Sequence, residues 1–233
     1  MGTRQFGVSS HLYRGQRLQR DHLLEIAANG FETIELMAAS GHFDARNPTA
    51  VADLQQWLAE ARLDLAGIEA SADAAETEDA LLVARRIPVR VVILPVGPRR
   101  EAARTLERLA ELAAPLGVTI AIDSRSPSMT PLGSLMHFVE QADERVGIAL
   151  DFAMAAKGGA LADAIETASE HLMAVRVSLD ASVDWSLVMT TIQKVGYEGP
   201  FIFDAAIPGP SSRELLARAR TVREQMERWL TRI

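Results

Sequence analysis

Three aspartates stand where apolar runs stop. VTIAID ends at Asp123, VGIALD ends at Asp151, and PFIFDA carries Asp204 one residue from its end. An acid closing a short apolar run is how a parallel sheet presents chemistry: backbone groups beyond the strand's carboxyl end are free, and the following loop shapes a cleft. Carboxylates gathered at one rim can hold a cation or move a proton. Each Asp alone has a plainer role, since it is a good N-cap and favours a helix N-terminus. All three converging on one mouth would make a ligand site.

A second unusual residue is the Arg inside LMAVRVSL. Val175, Val177 and Leu179 share one face of that run, so Arg176 lies on the other. Pointing into a mouth, its guanidinium would pair with Asp151 or Asp204 and put an internal cation where a metal would go. It could instead clamp a ligand carboxylate or phosphate with its planar fork. Glu69 could answer it electrostatically or line the pocket. His11, Tyr13, Glu35, His42 and Arg125 also fall at or just after strand ends. His11 and His42 lie in polar stretches, so neither reads as a core histidine, and a solvated loop histidine is the plain alternative.

These residues need eight elements to position them. Apolar, β-rich runs mark strands at 6–10, 31–37, 63–70, 89–96, 118–123, 146–151, 172–179 and 200–205. Amphipathic stretches between them mark helices at 21–29, 49–61, 77–86, 99–114, 132–142, 160–171, 184–195 and 211–230. The punctuation agrees. Gly30 suits a C′ position, Asn47-Pro48 and Thr130-Pro131 read as helix starts, Pro88 ends a helix, and Ser211 with Glu214 reads as a capping box. Residues 153–159 read as a loop of small residues. The units recur roughly every 30 residues, the period of a (β/α)8 TIM barrel. No Gly-, Ser- or Pro-rich linker interrupts them, so 1–233 reads as one barrel domain. An open doubly wound sheet is the alternative, but no Gly-x-Gly-x-x-Gly turn follows the first strand, which also argues against a nucleotide cofactor.

The totals exclude several classes. There is no cysteine, so disulfide and thiolate chemistry are absent. A formal charge of −7 and 5% aromatic residues argue against nucleic-acid binding. No run of 18 apolar residues suggests a membrane span, and the start lacks the layout of a signal peptide, which points to the cytoplasm.

Several stretches together carry a resemblance: GVSSHLYRGQRL, HLLEIAANGFETIELMAASGHFD, NPTAVADLQQWLAEARLDL, VGIALDFAMA and VDWSLVMTTIQKVGYEGPFIF. The chain resembles the xylose isomerase-like barrels, the sugar phosphate isomerase/epimerase superfamily, nearly end to end. The resemblance implies a carbohydrate-like ligand, proton transfer next to a carbonyl, and one divalent metal at the strands' carboxyl ends. The positions matching the usual ligands are Asp123, Asp151, Ser178 and Asp204. Asp123 and Asp204 match the two Glu that form the proton-transfer pair. Met154 matches a second family His, Arg176 and Ser178 match a His-x-His pair, and Glu69 matches a frequent His. With the pocket-lining candidates, the implied ligand-binding set is His11, Glu35, His42, Glu69, Arg125, Met154 and Arg176. Family members often form homodimers.

The departures have physical weight. Glu to Asp shortens the reach by roughly 1.5 Å, one C–C bond, while metal–oxygen distances tolerate far less. Three carboxylates and a hydroxyl make a hard site, suited to Mg²⁺ or Mn²⁺ rather than Zn²⁺. Two expectations follow: a sugar isomerase or epimerase with an altered metal site, or a metal-free barrel that binds a small metabolite or a partner protein. The family's DNA-repair branch is a distant third, because its several histidines are missing; none follows His171.

Overall fold

The computed structural model describes residues 5–70, 74–96, 99–126, 132–179, 182–205 and 211–230. The expected helix start at Thr130-Pro131 lies outside them. Eight parallel strands close into a barrel in sequence order. They are β1 (Phe6–Ser9), β2 (Thr33–Ala38), β3 (Asp64–Ala70), β4 (Val91–Leu94), β5 (Thr119–Asp123), β6 (Val146–Asp151), β7 (Leu172–Ser178) and β8 (Phe201–Asp204). β8 pairs with β1 through Phe6–Phe201, Gly7–Ile202 and Val8–Phe203, which closes the ring. The open-sheet alternative is therefore wrong.

Nine helices are described: α1 (Arg20–Ala28), α2 (Pro48–Ala61), α3 (Ala74–Ala84), α4 (Arg99–Ala113), α5 (Leu132–Glu140), α6 (Phe152–Lys157), α7 (Leu161–Ala168), α8 (Trp185–Lys194) and α9 (Ser212–Leu230). Their starts and stops follow local chemistry. Asn47 Oδ1 accepts from the N–H groups of Thr49 and Ala50, and Pro48 fills the first turn of α2. Gly30 ends α1 at φ 82°, a backbone state that costs glycine little. Ser211 and Glu214 form the capping box at α9, with Ser211 N–H donating to Glu214 and Glu214 N–H to Ser211 Oγ.

The stretch 153–159 is not simply a loop. Asp151 Oδ1 accepts the Met154 N–H at 2.9 Å and starts the short helix α6. The polar stretch after β1 also folds on itself. A 3-10 turn, Ser10–Tyr13, buries Leu12 and Tyr13. Tyr13 donates its hydroxyl to Glu25 at 2.7 Å and stacks on His22 of α1, so it belongs to the packing.

The main core lies between sheet and helices, where the strands turn alternate residues outward, with the alternation shifted by one residue at irregularities in β3 and β7. Trp57, Trp185 and Trp229 pack against it. Val91, Ile93, Ala121, Ala149 and Ala174 form a separate small cluster on the inner side. Three of its five members are Ala, which leaves room inside the barrel for longer polar side chains one step further along the strands.

Candidate functional site

Beside that apolar cluster and toward the carboxyl ends of the strands, the interior is ionic. Glu69 of β3, Asp123 of β5, Arg176 of β7 and Asp204 of β8 come from the carboxyl-end halves of their strands, and Glu35, the third residue of β2, reaches them from lower in the barrel. Alternation directs Arg176 inward while Val175 and Val177 join the outer core. Its guanidinium is wholly buried. Nε and Nη2 donate to the two oxygens of Glu35 at 3.2 and 2.7 Å. Nη2 also donates to Glu69 at 2.9 Å, and Nη1 to Asp123 at 2.7 Å.

This corrects the expected pairing. Register sets Asp151 beside Arg176, yet the ion pairs run to Glu35, Glu69 and Asp123 instead of Asp151 or Asp204. The side chain extends toward the barrel axis, where residues from distant strands meet, and passes its sheet neighbour by.

Arg125 covers the cluster from the loop after β5. Nε lies 3.1 and 3.0 Å from the two Asp123 oxygens, and Nη2 lies 2.7 Å from Asp123 Oδ2 and 3.2 Å from Glu69. Nη1 donates to Asp204 at 2.7 Å. The loop is fixed by the serines flanking Arg125. Ser124 Oγ accepts the Asp151 N–H at 2.8 Å, and Ser126 Oγ accepts the Val96 N–H at 3.1 Å. Those two serines were not anticipated; the Ser-Arg-Ser triplet was the available signal.

Exposure sorts these groups. Glu35 and Arg176 are sealed, and Asp123 and Asp204 nearly so. Arg125, His11 and Glu69 are each about a fifth exposed, at 22, 21 and 18%. His11 Nδ1 lies 3.5 Å from Asp204 Oδ1, an electrostatic contact without hydrogen-bond geometry. Ser178 pairs in register with Asp204 at the same rim.

Two expected site residues sit apart. His42 is buried, with Nδ1 2.7 Å from the Gln16 carbonyl and Nε2 3.1 Å from Ser10 Oγ. It joins the loops after β1 and β2, and is neither a solvated histidine nor a rim residue. Met154 lines a groove of about 700 Å³ beside the mouth, together with Ser124, Leu132, Leu150 and Lys157.

The charges set one another. Burial raises the Asp123 carboxyl, but Arg176 and the Arg125 hydrogen bonds outweigh it and hold the group below its ordinary value. Burial acts the same way on Asp204, and His11, Arg125 and Arg176 together hold it far below. Both are weak bases in this state. Asp151 has no guanidinium partner among the described residues, and burial raises it. Glu35 is pushed up to about 7, by burial first and then by Glu69 and Asp204, against the pull of Arg176.

No family model matches the chain, and no curated protein matches it. Solved structures do. A xylose isomerase domain protein from Planctomyces limnophilus is similar at 14% identity and TM-score 0.78, with 99% of each chain covered. The fold is that of the xylose isomerase-like barrels. A D-tagatose 3-epimerase-like protein is similar at 18% identity and TM-score 0.80, covering 98% of this chain and 99% of that one. The IOLI protein, described with a bound zinc atom, is similar at 12% identity and TM-score 0.75, covering 95% and 97%.

In this xylose isomerase-like barrel, the residues present do not fit a divalent metal. Both oxygens of Asp123, Asp204 and Glu69 already accept N–H donors. Among the described residues, no group of three or more His, Asp or Glu side chains is arranged to hold an ion. Among them, too, no helix is long and apolar enough to cross a membrane.

Proposed function

We propose that the barrel mouth binds a carbohydrate-like ligand, a sugar, sugar acid or sugar phosphate, and transfers a proton next to its carbonyl, as sugar isomerases and epimerases do. The observation that carries this is the placement of Arg125. Its guanidinium is partly exposed and spans Asp123 and Asp204, the acids closing β5 and β8. A fixed positive charge at a water-poor mouth stabilises the oxyanion that forms when a proton leaves the carbon beside a carbonyl. Asp123 and Asp204 hold that charge in place. Glu69 and His11 are the partly exposed acid–base groups beside it. The folds of the similar structures, among them a D-tagatose 3-epimerase-like protein, favour a sugar as ligand.

A second reading has one specific support. The carboxylates matching the family's proton-transfer pair are both committed to guanidinium groups. The barrel would then bind a small metabolite or a partner protein without converting it.

One experiment separates the two. The protein is incubated in D₂O with a panel of ketoses, aldoses, uronic acids and hexose phosphates, and followed by proton NMR. Deuterium appearing beside a carbonyl supports the enzyme. Ligand signals that broaden without exchange support the binder.

A further inference from the structure

We infer that Arg125 and Arg176 are a built-in substitute for a divalent ion, so that this barrel carries its cation covalently and excludes metal from the mouth. The inference deepens the proposed function and rests on it only for the use made of the charge.

Three observations converge. The first is charge. Two guanidinium groups bring the same +2 as one divalent ion, and they sit among four carboxylates, Glu35, Glu69, Asp123 and Asp204. The second is bridging. An ion in such a site ties together acids from separate strands. Here Arg125 ties β3, β5 and β8, and Arg176 ties β2, β3 and β5 to β7. The third is occupancy of lone pairs. Asp123 Oδ1 takes the Arg125 backbone N–H at 2.8 Å and its Nε, and Oδ2 takes Arg125 Nη2 and Arg176 Nη1. Asp204 Oδ1 takes the Ala205 N–H at 2.7 Å, and Oδ2 takes Arg125. An entering ion would have to strip these donors and then lie against two fixed positive charges.

The substitute differs from a metal in one useful way. A guanidinium donates N–H groups in fixed directions and cannot exchange with solvent ions. Of the five N–H donors of Arg125, four are taken by protein carboxylates, which leaves one on Nη1 for a ligand oxygen.

The test is metal binding to the whole protein after dialysis against EDTA. Titration with Mn²⁺, read by the paramagnetic resonance signal of free Mn²⁺, should show no site tighter than about millimolar, where ordinary surface binding begins. The melting temperature should be the same in EDTA and in excess Mn²⁺. Stoichiometric uptake at lower concentration, or a melting temperature that depends on Mn²⁺, would overturn the inference.

Arg125→Ala supplies the second arm. It leaves Asp204 without its guanidinium ion pair and removes one of the two guanidinium partners of Asp123 and Glu69. Mn²⁺ or Mg²⁺ at tenfold excess over its dissociation constant should raise that variant's melting temperature by about 3–6 °C. A variant indifferent to both ions would count against the inference. If Arg125→Ala does not fold, Arg125→Gln keeps part of the volume and an uncharged NH₂ donor group, and is read the same way. Sugar exchange in the wild type that requires Mn²⁺ would remove this inference and leave the proposed function standing. Absence of exchange with every sugar, alongside the expected metal results, would do the reverse.

Discussion

Arg176 of β7 and Glu35 of β2 meet in a two-point ion pair across the barrel interior, 141 residues apart in sequence. Neither strand is the other's neighbour in the sheet; β8 and β1 lie between them. The pair therefore spans the ring, and both partners are sealed from solvent.

Removing the cation should be costly. Arg176→Met leaves Glu35 without its ion pair, and takes one donor each from Glu69 and Asp123. Breaking a buried pair from one side typically costs about 3–5 kcal/mol. Chemical denaturation should show a loss of that order, with part of it regained in Arg176→Met/Glu35→Gln. A single variant as stable as the wild type would contradict the role given to the pair.

Glu35 should leave a signature in the pH dependence of stability. Its folded value is pushed up to about 7, above the ordinary 4.5. Between those values the folded state binds more protons than the unfolded state. This group's stabilisation is thus complete below about pH 4.5 and is lost as pH rises toward about 7. Glu35→Gln should remove that slope. Denaturation midpoints at pH 5 and pH 8 should lie closer together in the variant than in the wild type.

His42 should act in the opposite sense. A carbonyl can only accept, so the short contact with Gln16 puts the proton on Nδ1, and Nε2 must accept from the Ser10 hydroxyl. Burial lowers the imidazole's value. Below its ordinary 6.5 the unfolded state takes up a proton more readily, so stability falls as pH drops through that region. Ser10→Ala strands Nε2 and the Met37 N–H, which donates to Ser10 Oγ at 2.8 Å. A loss of about 1–3 kcal/mol is expected from urea denaturation at pH 7.5.

Asp151 separates capping from ligand chemistry. It starts α6 through the Met154 N–H. Asp151→Asn keeps an acceptor and should leave stability nearly unchanged, while Asp151→Ala should cost about 0.5–2 kcal/mol. A sugar-exchange rate that falls in Asp151→Asn at unchanged melting temperature would give the carboxylate a role beyond the cap.

The barrel was legible because its signals are local. Apolar runs, Asn47-Pro48, Gly30 and the Ser211–Glu214 box each mark an element from neighbouring residues alone. Arg176 was legible as an anomaly, a charge in the middle of an apolar strand. Its partners were not. Alternation tells inside from outside, but which inward residues touch depends on ring closure and on a side chain long enough to pass its sheet neighbour. Glu69 was weighed as its counter-charge, and the structure places it there; Asp151 was weighed too, and the structure does not. Arg125 was visible only as a residue near a strand end, since the carboxylates it joins come from β3, β5 and β8. His42 misled because polar neighbours in sequence do not report a loop folded over another loop.

The ionic layer also bears on how this molecule comes apart. Acids and cations from β2, β3, β5, β7 and β8 share donors, so peeling one strand end away exposes charge on the others. Fraying at that end is therefore penalised collectively, and amide protons along the upper halves of β3, β5, β7 and β8 should exchange with solvent together, in one concerted opening.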